Sequence, residues 1–123
     1  MLYYELMNNS SFWHMLDTLV NTSTLIIDRP KGSAHPRYPD FRYPLDYGYL
    51  EGTTSSDGMG IDVWVGSLPE KRMTALLCAV DLEKRDVETK LLLGCTPEEA
   101  QQVLAIHNRG TQSATLLERP DKQ

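Results

Sequence analysis

Residues 41–65 read FRYPLDYGYLEGTTSSDGMGIDVWV, and the other segments of the chain gather around them. Aromatic side chains at Phe41, Tyr43, Tyr47, Tyr49 and Trp64 stand among glycines and the carboxylates Asp46, Glu51, Asp57 and Asp62. The stretch is too rich in aromatics for an ordinary loop and too polar for a pair of core strands. Asp57 and Asp62 flank Gly58-Met59-Gly60, and the apolar run Ile61 to Val65 follows at once. Two carboxylates converging at a turn beside a strand suit a hard divalent cation, which takes oxygen ligands. Asp-Gly is equally a strong hairpin signal, so this segment taken alone supports both a plain turn and a metal site.

A chain of 123 residues is most simply one domain, 1–123, and we expect residues 1–9 to form a loosely ordered leader. A chain of this size buries about two thirds of the surface that its unfolded form exposes, enough for a core without covalent staples. The two cysteines, Cys78 and Cys95, lie in or beside apolar runs and read as small reduced core residues. Neither they nor the scattered His14, His35 and His107 have zinc-ligand spacing. The first twenty residues lack a basic start and an uninterrupted apolar stretch, and no run reaches the ~18 apolar residues of a membrane span, so a cytoplasmic location is expected, with no membrane partner. A net charge of −5 argues against nucleic acid as a partner, because such binding rests on neutralising phosphates. Yet basic residues crowd the segment from Arg29 to Arg42, which points to a small anion met in a pocket.

Taken in order, Ser10 or Ser11 caps a short helix in which Phe12, Leu16, Leu19 and Val20 share a face, ending near Asn21. Thr24 to Asp28 is β-branched and reads as a strand. Pro30, Pro36, Pro39 and Pro44 then forbid a helix or a central strand and leave a stiff extended loop carrying Lys31, His35, Arg37 and Arg42. Such a loop serves equally as a solvated connector and as a preset grip on an anion. Leu45–Leu50, Ile61–Val65, Met73–Val80 and Val87–Leu93 read as strands, with Asp81 to Glu88 a charged connector. Thr96-Pro97-Glu98-Glu99 opens a helix with a capping box and proline in its first turn; the helix runs to about Asn108 and Gly110 stops it. Ser113 to Glu118 is a last strand or tail. Short strands with one clear late helix predict a mainly β (α+β) domain, a small and mostly antiparallel barrel.

Read together, these segments resemble the soluble family I inorganic pyrophosphatases. Tyr43-Pro44-Leu45-Asp46-Tyr47-Gly48-Tyr49 is similar to the family's YP-x-N-YG-[YF] strand, and Asp57-Gly58-Met59-Gly60-Ile61-Asp62-Val63 to its D-G-D-P-x-D-V signature. The two pieces match at the family's spacing without a gap. Asp81 to Lys90 (DLEKRDVETK) resembles the family's acidic loop ending in a lysine, and Ile27 to Pro39 a shortened branch with IDRP-x-G-x-x-HP. The likeness spans about Leu25 to Asn108 and implies a closed five-stranded OB-type β-barrel with one or two flanking helices. It implies magnesium-dependent hydrolysis of pyrophosphate to two phosphates, in a homo-oligomer.

Carried over by position, the resemblance makes Asp57 and Asp62 metal ligands, Tyr43 and Tyr47 phosphate-side hydroxyls, and Lys90 the lysine after the acidic loop. From that loop Asp81 and Asp86 are favoured as further ligands, with Glu88 next; Glu83 and Glu88 have the same spacing and stand in better register with Lys90. Lys31, His35 and Arg37 would supply the positive charge of the missing hairpin, and Asp28 would replace an early glutamate. The likeness breaks at Met59, where the family carries the carboxylate that touches the nucleophilic water; methionine neither takes a proton nor ligates magnesium. Gly60 replaces a proline, and His107, Asn108 and Arg109 stand where the family has a tyrosine-lysine pair. Either the metals alone, or Glu51, Asp46 or His35, must then activate water, or the site is a non-catalytic relative that binds a phosphate anion without cutting it.

Overall fold

The fold follows from two periodicities that alternate along the central strands. In β3 (Ile61–Val65), β4 (Met73–Asp81) and β5 (Asp86–Leu93), odd and even positions are both buried, which a sheet allows only when both its faces are covered. Trp64, Ala75, Leu77 and Leu92 belong to one core cluster, and their strand neighbours Val63, Val65, Leu76, Leu91 and Leu93 to another on the opposite face. This double burial is why Met73 to Val80 reads as one continuous apolar run.

We describe residues 10–120 in a computed structural model of the chain. Helix α1 (Ser10–Asn21) lays Trp13, Phe12, Leu16 and Leu19 on one face of the sheet. Helix α2 (Pro97–Ile106) lays Ala100 and Val103 on the other. The capping box is formed: Glu99 N–H donates to Thr96 Oγ1 at 3.1 Å, and Thr96 N–H to Glu99 Oε1 at 2.9 Å. The helix ends at Ile106, two residues short of the sequence expectation, with His107 as its C-cap.

With β1 (Thr24–Arg29), β2 (Asp46–Glu51) and β6 (Gln112–Glu118), the strands form one six-stranded sheet in the order β1-β2-β3-β5-β4-β6. All pairs are antiparallel except β3 with β5, where Val63 lies opposite Leu91 and Val65 opposite Leu93. The expected closed five-stranded barrel is therefore corrected on two counts. Residues 112–118 form a full sixth strand on the outer edge of β4, and among the described residues β1 and β6 remain unpaired edges. Closure depends on strand tilt and stagger, quantities that the alternation within each strand does not encode.

Two features tie the outer elements down. Arg119 Nη1 donates to both carboxylate oxygens of Asp17 at 3.1 and 2.9 Å, joining the end of β6 to α1. Met73 N–H also donates to Asp17, at the start of β4. Cys78 and Cys95 are unbridged; Cys95 is buried in the core, and Cys78 is half-buried at its margin. Among the described residues no helix is long and apolar enough to cross a membrane. The expected leader, residues 1–9, lies outside the described residues.

Candidate functional site

The sheet register builds one polar cluster. Strand β2 sets Tyr47 opposite Trp64 and Tyr49 opposite Asp62, so these four share a face. The parallel pairing of Val63 with Leu91 then places Asp62 beside Lys90, one residue earlier on each strand. Along β5 the same face carries Asp86, Glu88 and Lys90 by the period of two. Lys90 is the hub: its Nζ donates to Asp62 Oδ2 at 2.8 Å, to Tyr47 Oη at 2.9 Å and to Glu88 Oε1 at 3.4 Å. It is only 8% exposed, so its charge is held inside the protein by these partners.

Burial works against the ammonium, but Tyr47 and Asp62 outweigh it and hold Lys90 above the ordinary lysine range. Burial likewise raises Tyr47, with Lys90 pulling the other way, so it stays a neutral phenol at any physiological pH. Because Lys90 donates to the phenol oxygen, the hydroxyl proton of Tyr47 is left to point elsewhere.

The Asp57 loop closes over the edge of this cluster. Ser56 Oγ donates to Val87 O at 3.5 Å, tethering the loop to β5. Asp57 is held below the usual carboxylate range chiefly by the Ser55 hydroxyl at 2.5 Å, then by Met59 N–H, with a smaller contribution from neighbouring Glu88. Asp57-Gly58 is thus a turn, with Gly58 at φ 82°, and at the same time carries its carboxylate toward Glu88. Met59 is 69% exposed at the tip and touches nothing that would replace the family's carboxylate.

Other residues singled out from the sequence go elsewhere. Asp81 closes the β4–β5 turn: its Oδ1 accepts from Glu83 N–H, Lys84 N–H and the Thr111 hydroxyl, which lower its pKa, Lys84 foremost. Asp86 faces Lys84 at 3.8 Å. Glu88, which the sequence reading placed behind both, is the acidic-loop residue that reaches Lys90. Asp46 accepts from Lys31 N–H, and His35 Nδ1 accepts from Arg37 and Tyr38 N–H, so neither is placed to take a proton at Lys90. His35 instead stacks on Tyr43, Tyr43 on Tyr47, and Tyr47 packs on Trp64 at 4.6 Å, a continuous series of rings behind the lysine. Trp64 Nε1 donates to His107 Nε2 at 3.3 Å, and the other imidazole nitrogen faces Gln112 Oε1. His107 therefore supports the tryptophan; burial lowers its pKa. Lys31 and Arg37 are exposed and make no contact with the Lys90 cluster among the described residues.

Among the described residues no three His, Cys, Asp or Glu side chains form a ready metal cage. Magnesium does not require one: it is commonly held by one or two carboxylates, with substrate phosphates and waters completing its shell. Asp62 and Glu88 each give one oxygen to Lys90 and keep the other outside its bonds, with Asp57 adjoining Glu88, so the donors present fit a hard cation.

The mainly β, six-stranded sheet with a helix on each face is a pyrophosphatase-like fold. Three solved structures share it: the inorganic pyrophosphatase of Coxiella burnetii (TM-score 0.56, 15% identity, 76% of this chain and 82% of that one), that of Helicobacter pylori (0.55, 14%, 76% and 81%), and the inorganic phosphatase of Anaplasma phagocytophilum (0.54, 14%, 76% and 81%). At these identities the likeness is one of fold. No family model matches the sequence, and no curated protein does.

Proposed function

We propose that this chain hydrolyses inorganic pyrophosphate to two phosphates, with magnesium held at the Lys90 face. The observation that carries the reading is the charge of the cluster: one ammonium, Lys90, stands against the two carboxylates bonded to it, Asp62 and Glu88, with Asp57 on the loop tethered beside them. Such a site repels a bare polyanion and attracts a divalent cation, whose charge inverts the local sign. The pyrophosphatase-like fold supports the choice of anion.

Asp62 and Glu88 would hold the cation through the oxygens not bonded to Lys90, with Asp57 contributing from the loop. When bound, magnesium supplies neutralisation of the phosphate charge and a water acidic enough to ionise near neutral pH. The protein's own groups do the rest. Lys90, always protonated, presents a fixed positive charge to a phosphate oxygen, and the neutral Tyr47 hydroxyl donates to another. Water attacks one phosphorus, the P–O bond to the bridging oxygen breaks, and orthophosphate leaves. The attacking water's proton passes to the departing phosphate oxygen, since Met59 cannot take it and the oxygens of Glu88 are engaged by Lys90 and the cation.

Purified chain with pyrophosphate and magnesium is expected to release phosphate, and chelation is expected to stop it. Absence of turnover across magnesium, manganese and zinc would sink the proposal. Met59, exposed at the loop tip, favours a second reading, in which the site binds a phosphate anion with its cation and does not cut it. Calorimetric binding of pyrophosphate without phosphate release would select that reading.

A further inference from the structure

The proline-rich loop and the end of α2 border an open cleft of about 870 Å³, whose lining contains none of Tyr47, Asp62, Glu88 or Lys90. Its volume lies within the range of small-molecule sites, roughly 300–1,000 Å³. Arg37, Arg42 and Arg109 line it against a single carboxylate, Asp40. Among the described residues none of these arginines is ion-paired, although the chain carries a net charge of −5. Three exposed, unpaired guanidiniums around one concavity make a local positive field.

Apart from Gln102, the rest of the lining is apolar or aromatic. Tyr38 is 63% exposed, and Phe41 and Ile106 complete a surface against which a planar ring can stack. The loop is set in advance: Gly32 N–H donates to Tyr43 O, Tyr43 N–H to Ser33 O, His35 N–H to Phe41 O, and Phe41 N–H to Tyr38 O. Arg42 Nη1 donates to Gly32 O at 3.2 Å, which anchors its side chain to the loop. A prearranged wall loses little entropy on binding.

The geometry points to a second ligand site here, separate from the Lys90 cluster, for a small phosphate monoester that carries a planar ring, of the nucleoside 5′-monophosphate class. The guanidiniums take the phosphate in paired hydrogen bonds, and the Tyr38–Phe41 wall takes the ring. Phe41 packs edge-on against Tyr43 at 5.2 Å, and Tyr43 stacks on Tyr47, so occupancy of the cleft adjoins the same series of rings that backs Lys90.

The test is calorimetric titration of the full chain with adenosine 5′-monophosphate, adenosine and inorganic phosphate, each without metal. The nucleotide is expected to bind at least tenfold more tightly than either fragment. Arg109→Gln and Arg42→Gln, both changes at exposed positions, are expected to weaken it about tenfold each with melting temperatures unchanged, while Lys90→Met leaves it intact. Equal binding of inorganic phosphate, binding that survives both arginine changes, loss of binding in Lys90→Met, or sedimentation showing this face covered by a second copy would each overturn the assignment. Failure here leaves the pyrophosphate reading standing, since that reading is measured by phosphate release at Lys90.

Discussion

Lys90 Nζ lies 2.8 Å from Asp62 Oδ2, a pair brought together across 28 residues by the parallel pairing of β3 with β5. A residue expected to bind metal thus shares its charge with a buried lysine. One oxygen of Asp62 accepts from the ammonium, so the lysine orients the carboxylate that would take the cation.

Replacing the hub should separate chemistry from folding. Lys90→Met keeps the buried stem and removes the charge. Asp62 is about one third exposed and can rehydrate, so the stability change should stay near ~1 kcal/mol. Phosphate release should fall about 10²-fold or more, the scale of losing one preorganised positive charge beside developing phosphate charge. Steady-state kinetics beside urea unfolding check both halves. Unfolding without any activity loss in the surviving fraction would show that the lysine is only structural.

Restoring the missing carboxylate should raise the rate. Met59 is 69% exposed, and its contribution to the loop is made by its backbone, the N–H to Asp57 and the carbonyl to Ser55, which Met59→Asp retains. Phosphate release is expected to rise on the order of tenfold, with the melting temperature unmoved. An unchanged or lower rate would mean that the outer carboxylates already do what position 59 does in the family.

Gly48 is required by packing between strands. A Cβ there would lie 1.8 Å from the backbone oxygen of Ile26, which cannot move without breaking the β1–β2 pairing. Gly48→Ala should therefore destabilise by at least about 3 kcal/mol, above the common range for overpacking because the clash is with backbone. Denaturant unfolding measures it. A loss under 1 kcal/mol would show that β1 yields freely.

Acid should loosen the protein through His107. Burial lowers its folded pKa below the unfolded value of about 6.5, so the unfolded chain binds the proton more readily. The stability it contributes is complete above the unfolded value and is lost as pH falls through the folded one. Protonation also converts Nε2 from acceptor to donor, against Trp64 Nε1–H. Unfolding free energy should drop between pH 7 and pH 5 in the wild type, and less in His107→Gln. Parallel profiles would remove His107 as the cause.

Local chemistry was legible in residue order: the proline-stiffened loop, the Asp57-Gly58 turn, the Thr96–Glu99 capping box and the alternation of Tyr47 and Tyr49 all act within a few residues. The same order placed Asp81 and Asp86 ahead of Glu88, because spacing along a loop does not say which carboxylates turn inward. Asp81 was taken by its own turn, and Glu88 came to the hub because it lies two residues from Lys90 on the same face. What the sequence by itself determined was the composition of each strand face and the shape of each turn. Only the tertiary structure decided that the β3 face meets the β5 face in parallel, that the sheet stays open, and that the arginines of the proline loop face a cleft away from Lys90. Register between distant strands is set by how both faces of the sheet fill at once, and no local window contains that information.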